Sequence, residues 1–428
     1  MSKNLKAPRG TQDVFDQQVR IWNKIETVAR ELTDAYHVTE IKTPIFEHTE
    51  VFDRGNDASD VVNKEMYTFE DRGGRSLTLR PEGTAGVVRA FVEHKLYAQG
   101  TAIQKYFYIG PNFRYERPQK GRMRMHTQFG VEFFGEKSPY ADVEAISLGL
   151  ELLKKIGIQD FKLVINTLGD QESQNRYREQ LIAHFEPFIE DLGEDNKRRY
   201  KQNPLRILDD KFYQDHEALI TAPTNQEALN EDSKHYFEKV CEVLDALEIP
   251  YEVNHKLVRG LDYYHHTVFE VISTSDDAGA QSTIFAGGRY DHLVEYYGGP
   301  EVSAFGFGMG IERLMVFLES GNINLDTEDK VDVFVMPLDA SSNTLALKAM
   351  GLLREAGYSV DMDFYNRSMR AQFKLVDRYR SQVAIILGED EVVNNTLTLK
   401  NIETQQQINV PLEQLVSAIN AWIGEKHE

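Results

Sequence analysis

Three short runs place an arginine where it could grip a phosphate. Phe113-Arg114-Tyr115-Glu116 and Gly308-Met309-Gly310-Ile311-Glu312-Arg313 each set one arginine near a carboxylate. Between them, Arg259-Gly260-Leu261-Asp262-Tyr263-Tyr264 adds a third arginine beside a polar aromatic pair. A guanidinium stays protonated and presents a planar fork of donors, which suits phosphate oxygens taken two at a time. Three arginines from separate segments suggest one site that grips a polyphosphate and a small polar molecule together. That arrangement points to an enzyme.

A further cluster lies between residues 114 and 124, where Arg114, Arg117, Lys120, Arg122 and Arg124 crowd one stretch. A solvated hairpin tip can carry such charges. This chain, however, holds 68 acidic residues against 48 Lys and Arg, so their concentration here favours contact with a ligand. Pro118 and Gly121 suit a loop that closes over it. The glycines of Ala304-Phe305-Gly306-Phe307-Gly308-Met309-Gly310 invite a dinucleotide reading, but the third falls one residue early and no acidic ribose partner follows. Close packing of a strand on a helix explains the glycines and leaves Arg313 unexplained. His265-His266 lack partners at metal-ligand spacing, so no zinc site is expected. Leu208-Asp209-Asp210-Lys211 and Lys197-Arg198-Arg199 read as surface, the second kept as a secondary candidate for nucleic-acid contact.

The positioning elements follow from periodicity. Residues 17–36 repeat Ile21, Trp22, Ile25, Val28, Ala29 and Leu32 at helical spacing, and residues 38–44 alternate as a strand stopped by Pro44. Residues 78–90 read as strand, turn and helix. Residues 105–115 and 127–134 form a long hairpin around a polar loop at 117–125. From about 170 to 249 the pattern becomes helical, with Tyr177, Leu181, Phe185 and Phe188 on one face and Phe237, Val240, Leu244 and Leu247 on another. Strand patterns return at 251–258, 267–273 and 282–286, so the helical block is an insertion in a mostly antiparallel sheet. After a polar stretch at 321–330, strands at 331–336, 359–364 and 383–387 alternate with helices at 342–355 and 369–379. The unbroken apolar run 383–387 predicts a strand buried on both faces of a small α/β domain with a parallel core. Pro411 is placed as the first residue of a terminal helix burying Leu415, Ile419 and Trp422.

Size and charge set the remaining bounds. A chain of 428 residues, 41% apolar and 11% aromatic, can build two domains. Its net charge of −20 argues against a general nucleic-acid coat while leaving room for a local basic patch. Cys241 stands alone, which excludes an intrachain disulfide and a cysteine zinc site. Residues 1–15 lack the apolar core of a signal peptide and no run approaches a membrane span, so a cytoplasmic protein without membrane contact is expected.

Taken in order, Pro8-Arg9-Gly10-Thr11-Gln12-Asp13, Thr78-Leu79-Arg80-Pro81-Glu82-Gly83-Thr84, Phe113-Arg114-Tyr115-Glu116-Arg117-Pro118-Gln119, Leu257-Val258-Arg259-Gly260-Leu261-Asp262-Tyr263-Tyr264, Ala286-Gly287-Gly288-Arg289-Tyr290-Asp291 and Gly308 to Arg313 resemble bacterial histidyl-tRNA synthetases. The segments around Arg259 and Gly288 mark the histidine enzymes. Those around Arg114 and Arg313 mark the wider class II synthetases. The resemblance implies an α+β catalytic domain at 1–325 with a mostly antiparallel class II sheet and a helical insertion at about 171–249. It also implies a C-terminal α/β anticodon-binding domain at 331–428, and a homodimer formed through the first long helix and the strand ending at Pro44.

The activity it implies is ATP-dependent ligation of histidine to tRNA(His) through histidyl-adenylate, releasing AMP and pyrophosphate, with Mg²⁺ beside the phosphates. Carried over by position, Glu82, Thr84 and Gln128 hold the amino group. Glu132 and Tyr264 bind the imidazole, and Tyr263 and Tyr290 line its pocket. Arg114 and Arg259 clamp the α-phosphate against the histidine carboxylate. Arg122 and Arg313 take the β- and γ-phosphates, and Glu116 meets adenine. Arg117 and Gln119 approach the tRNA acceptor end. The chain departs from the family at His126, which stands where a phenylalanine usually meets adenine, and at the His265-His266 doublet. Arg367, Arg370, Lys374 and Arg378 are anticodon candidates by charge. Two rivals share the fold. One is a histidine-sensing regulatory subunit of ATP phosphoribosyltransferase, which typically lacks the C-terminal domain and the arginine at 259. The other is a silent RNA-binding protein, which would not need phosphate clamps.

Overall fold

The computed structural model describes residues 5–53, 61–100, 103–135, 137–208, 210, 212–259, 263–275, 283–323, 325 and 329–425. Gly260, Leu261 and Asp262 of the Arg259 run, with Asp209, Lys211 and Ser282, lie outside the described residues. The chain divides into two compact units, Met1–Leu325 and Asp326–Glu428.

The first unit is built on an eight-stranded sheet. Its order is Thr39–Glu40, Gln104–Phe113, Met125–Gly135, Ser303–Gly310, Thr283–Arg289, His265–Ser273, Phe161–Thr167, Tyr251–Val253. The inner pairs are antiparallel and the two outermost pairs parallel. Because strand side chains alternate between faces, each inner strand carries two distinct programmes. Phe129, Val131 and Phe133 join Phe305, Phe307 and Met309 in the largest core cluster, packed against Ile25, Ala29 and Leu32 of helix Asp16–Ala35 and Ile146 and Leu152 of helix Pro139–Lys155. The alternate positions of the same strands, His126, Gln128 and Glu132 with Gly306, Gly308 and Gly310, face the other side. There helix Thr84–Glu93 and the aromatics Tyr108, Tyr263, Tyr264 and Tyr290 form a second cluster.

An aspartate and an asparagine cap the first and last long helices of the insertion. Asp170 accepts from Ser173 N at 2.9 Å at the start of helix Gln171–Phe185, and Asn230 accepts from Ser233 N at 2.9 Å at the start of helix Glu231–Ala246. Asn230 Nδ2 also donates to Asp170 Oδ2 at 2.6 Å, which ties the entry of the insertion to its exit. Tyr177, Leu181 and Phe185 bury into the insertion's own core with Ile207 and Leu219. Val240 and Leu244 bury into the main core instead, while Leu247, expected on that face, caps the helix end and is exposed.

The structure corrects several strand limits. Residues 38–44 pair only over Thr39–Glu40, since the chain then turns through Pro44 into Phe46–His48 of a separate three-stranded sheet with Ser76–Leu79 and Tyr67–Glu70. The strand expected at 251–258 stops at Val253, where Leu257 N bonds Asn254 O at 2.9 Å in a turn. Phe161–Thr167 is a sheet strand that the reading from sequence passed over.

The second unit has its own core around Val333, Val335, Val383, Ile385 and Leu399. Its sheet runs Val360–Met362, Val333–Pro337, Val383–Leu387, Thr396–Asn401, Gln407–Pro411, parallel over the first three strands and antiparallel over the last two. The first three strands are the expected parallel core, and the final antiparallel hairpin extends it with Thr396, Thr398 and Lys400 on one face. Pro411 ends that edge strand rather than starting the helix. The helix is Leu415–Ile423, which buries Leu415 and Ile419 with Trp422 partly covered. No helix among the described residues is long and apolar enough to cross a membrane.

A buried ion pair pins the sheet to helix Pro139–Lys155. Arg289, 1% exposed, pairs with the fully buried Asp142, which also accepts from Tyr236 OH at 3.1 Å. Removing Asp142 leaves the buried Arg289 with Asp291, at 3.2 Å, as its remaining carboxylate. Asp142→Ala is therefore expected to cost about 3 kcal/mol, the low end for a broken buried pair, read as a lower urea midpoint at an unchanged denaturant slope. A shift within error would show that Asp291 alone suffices for Arg289.

Candidate active site

The face bearing Gly306 and Gly308 is the floor of a cavity of about 410 Å³. An added Cβ at Gly306 would collide with Glu132 Oε2, and one at Gly308 with the Gln128 amide. The glycines thus leave room for polar side chains to lie flat across the sheet, where any larger residue would expel them. This accounts for the run that resembled a nucleotide loop.

Around the floor the cavity is lined by Arg114, Arg122, Arg259 and Arg313, by Glu82, Thr84, Gln128, Tyr263, Tyr264 and Tyr290, and by Glu116 and His126. Arg114 Nε donates to Pro81 O at 2.8 Å, which couples the end of one strand to the turn before helix Thr84–Glu93. Arg313 opens helix Ile311–Ser320 and Nη1 donates to Thr283 O at 2.6 Å. Arg259 is paired with Glu270 and Arg122 with Glu116. Burial, then the nearby Arg122 charge, pulls Arg313 below its ordinary pKa. Burial pushes the Glu116 carboxyl up, although Arg122 and Arg114 act against it. These are the marks of a cationic site whose charges are held in partial balance before any ligand arrives.

The opposite end is aromatic and polar. Tyr263 OH donates to Glu82 Oε2 at 3.3 Å, and the Tyr263 ring lies 4.8 Å from Tyr264 and 5.7 Å from Tyr290, centroid to centroid. Gln128 Oε1 accepts from Tyr108 OH at 3.1 Å and Asn112 Nδ2 at 2.9 Å, which fixes its amide with the NH₂ free to donate. Glu132 is fully buried behind the lining, accepting from Thr84 Oγ1 at 2.6 Å and from Tyr290 OH. Its contact with the cavity is therefore made through those two hydroxyls. Burial pushes its pKa up to about 8, while the bonds from Thr84 and Tyr290 pull the other way. His126 sits beside the arginines, and its burial and the charges of Arg114, Arg313 and Arg122 push its pKa down to about 3. It is a neutral ring.

The basic stretch divides its labour. Arg114 and Arg122 line the cavity, whereas Arg117 and Gln119 are exposed and do not. Gln119 and Arg122 exchange backbone bonds of 2.9 and 3.0 Å around Gly121, whose φ of 72° suits a residue without Cβ. Lys120 meets Glu319 at 3.0 Å, and Arg124 lies 3.8 Å over the Tyr115 ring. His265 and His266 lie outside this cavity, and Lys197 to Arg199 pair with acids of the insertion.

Polyphosphate at one end and a small polar amino compound at the other are the ligands such a cavity can take. Comparison with known proteins agrees. A family profile described as histidyl-tRNA synthetase matches residues 10–314, and one described as anticodon binding domain matches 332–422. The chain belongs to the histidyl-tRNA synthetase family. It is 50% identical over 417 residues to the histidine–tRNA ligase of Oceanobacillus iheyensis, covering 97% of both chains. With that of Bacillus subtilis it shares 47% over 415 residues, 97% of this chain and 98% of the other. The apo histidyl-tRNA synthetase of S. aureus superposes with a TM-score of 0.82 at 38% identity, over 97% of this chain and 99% of that one.

Within the family frame, several residues at the site were not singled out from sequence. Glu270 partners Arg259, and Tyr108 and Asn112 orient Gln128, while Glu312, the carboxylate read beside Arg313, instead accepts from Thr127 N at 2.8 Å, its pKa pushed by burial to about 7. Glu270 had one available signal, as the lone acid in the apolar strand Thr267-Val268-Phe269-Glu270-Val271-Ile272.

The raised Glu132 pKa has a defined pH consequence. A carboxyl at about 8 when folded and 4.5 in its ordinary state favours folding while protonated. That stability is fully present below 4.5 and is lost as pH rises through about 8. Glu132→Gln, which stays neutral, should lose less stability than the unaltered protein between pH 6 and pH 9, by urea midpoints measured without ligands. Parallel profiles would place the Glu132 pKa near its ordinary value.

Proposed function

We propose that this protein activates histidine with ATP to histidyl-adenylate and transfers the histidyl group to tRNA(His), releasing AMP and pyrophosphate. The observation that carries the reading is the single cavity in which four arginines face Glu82, Thr84, Gln128, Tyr263, Tyr264 and Tyr290. Glu82 and Thr84 offer oxygens to the ammonium of the substrate, whereas Gln128, expected to do the same, has its oxygen taken by Tyr108 and Asn112 and turns its NH₂ over Gly308. Tyr264, and Glu132 acting through Thr84 and Tyr290, receive the imidazole in a desolvated pocket that an apolar competitor would leave unpaired. A carboxylate oxygen of histidine then attacks the α-phosphorus and pyrophosphate departs.

Arg114 and Arg259 stabilise the charge that builds on the α-phosphate oxygens, and Arg122 and Arg313 hold the β- and γ-phosphates. The Glu116–Arg122 pair fits this division. Phosphate can replace the carboxylate on Arg122, which leaves Glu116 to accept from the adenine amino group, with the neutral His126 ring beside the base. Mg²⁺ neutralises phosphate charge when bound. Among the described residues no cluster of three His, Cys, Asp or Glu side chains could hold a metal ion. The ion would therefore take most of its oxygens from phosphate and water, as Mg²⁺ commonly does. Glu116 and Glu270 are the acidic groups beside the arginines.

Arg117 and Gln119, exposed on the loop beyond the cavity, suit the tRNA acceptor end, and the unit from Asp326 suits the anticodon. We place the protein in the cytoplasm as a homodimer, with its interface on helix Asp16–Ala35 and the segment ending at Pro44. The exposed Ile45 and Phe46 beside that proline support this. The alternative role, a regulatory subunit of ATP phosphoribosyltransferase, has less support. A Bacillus halodurans structure titled as such a subunit or a histidyl-tRNA synthetase shares the fold at 20% identity and TM-score 0.64. This chain keeps Arg259 in the cavity and the C-terminal match.

Histidine-dependent ATP–pyrophosphate exchange tests the reading. Arg259→Ala should slow it by roughly two to three orders of magnitude with a small change in histidine affinity, and a near-normal rate would remove Arg259 from the catalytic group. A chain truncated after Asp329 should retain exchange and charge tRNA poorly at matched salt, because RNA contacts supply much of the affinity. Full charging by that chain would overturn the anticodon role of the second unit.

A further inference from the structure

The segment that carries Arg259 and Tyr264 is gripped from outside by the helical insertion. Arg206, in the short turn Pro204–Ile207, donates from Nη1 to the backbone carbonyl of Arg259 at 3.0 Å. Gln174, on helix Gln171–Phe185, donates from Nε2 to the backbone carbonyl of Tyr264 at 3.0 Å. The two contacts fall on either side of residues 260–262. They act on the backbone of one residue proposed to contact the α-phosphate and another proposed to contact the imidazole.

Arg206 is an unusual choice for such a contact. It is 6% exposed, and among the described residues no carboxylate pairs with it, while its Nε has no hydrogen-bond partner. Among the described residues lining the cavity beside it, Gln171, Gln174, Asn175, Gln202 and Asn203 included, none is acidic. A buried guanidinium gains most from a charged partner, so one held on a peptide carbonyl is a costly way to fill space. The surrounding segment is fastened too. Asn166 Nδ2 donates to Leu257 O at 2.9 Å, and Lys256 Nζ reaches Leu219 O and Ile220 O at 2.9 Å each. Asn203 caps the turn by accepting from Leu205 N at 3.2 Å, which sets the direction of Arg206.

We propose that Arg206 and Gln174 are positioning residues through which the helical insertion sets the catalytic arginine and the imidazole-reading tyrosine. The proposal rests on the reading of Arg259 as catalytic. A displacement of the Arg259 carbonyl swings its guanidinium away from the α-phosphate, while the residues that bind ATP keep their own supports. The insertion is then a brace for adenylation, acting on chemistry without touching either substrate.

A double-mutant cycle in histidine-dependent pyrophosphate exchange tests this, with full-length Arg206→Met, Arg259→Ala and the double variant. Arg206→Met keeps bulk and removes the donor. It should lower kcat roughly ten- to a hundredfold and leave the KM for ATP within about twofold. In the Arg259→Ala background the same change should have little further effect, since residues acting through one group are not additive. Arg206→Lys, which restores a donor, should recover part of the rate. Gln174 is only half-buried, so Gln174→Ala tests the brace even where Arg206→Met does not fold. It should raise the KM for histidine several-fold without changing that for ATP.

Equal factors for Arg206→Met in both backgrounds, or a normal KM for histidine in Gln174→Ala, would overturn the brace while leaving Arg259 catalytic. Normal exchange by Arg259→Ala alone would remove both readings.

Discussion

Four guanidinium groups around one cavity repel one another, and the catalytic unit is arranged to contain that repulsion. Each arginine has a local acceptor. Arg259 has Glu270, Arg122 has Glu116, Arg114 has the carbonyl of Pro81 and Arg313 has that of Thr283. The acceptors are of two kinds with different consequences. A carboxylate can be displaced by phosphate, which brings equal or greater charge. A backbone carbonyl fixes direction without neutralising, and the charges of Glu116 and Glu270 act on Arg313 as well. The site is therefore held in shape with its charges in partial balance, and two of the balancing carboxylates can yield to phosphate.

The sheet makes this crowding possible. Its inner strands give every second residue to the core and every second residue to the site, so Phe129, Val131 and Phe133 stabilise the same strand that presents His126, Gln128 and Glu132. On the neighbouring strand Gly306 and Gly308 reverse the usual trade. They contribute no packing on the site face, and Phe305, Phe307 and Met309 supply it all from the other side. A one-residue slip would exchange the two faces and abolish both the core and the cavity. Register is thus a functional constraint here as much as a structural one.

The acids illustrate how environment assigns roles to like residues. Glu116 remains beside two arginines, whereas Glu132 has hydroxyls alone for partners and is pushed by burial to about 8. Asp142 is as deeply buried as Glu132 but holds Arg289, which makes it a structural anchor between sheet and helix. Carboxylates near in space are separated in function by what donates to them.

Sequence alone determined much of this protein. The core of each long strand and helix was legible because burial imposes a period of two or of 3.6 on residues close in the chain. The cationic runs were legible because arginine and glycine at fixed offsets survive without knowing the fold, and together they gave the family. Short-range pattern could not decide where a strand leaves a sheet. Residues 38–44 and 251–258 alternate well, yet the chain turns away at Pro44 and after Val253, since pairing depends on a distant partner. Pro411 likewise fits a helix start or an edge strand, and the hairpin partner Thr396–Asn401 decides between them. Of the partners of the site, Tyr108, Asn112 and Arg206 come from segments whose local context carries no signal, and Glu270 stands out only as the one acid in an apolar strand. Only the tertiary structure brings them to the arginines and to Gln128, because a hydrogen bond or an ion pair is fixed by distance in space and carries no sequence period.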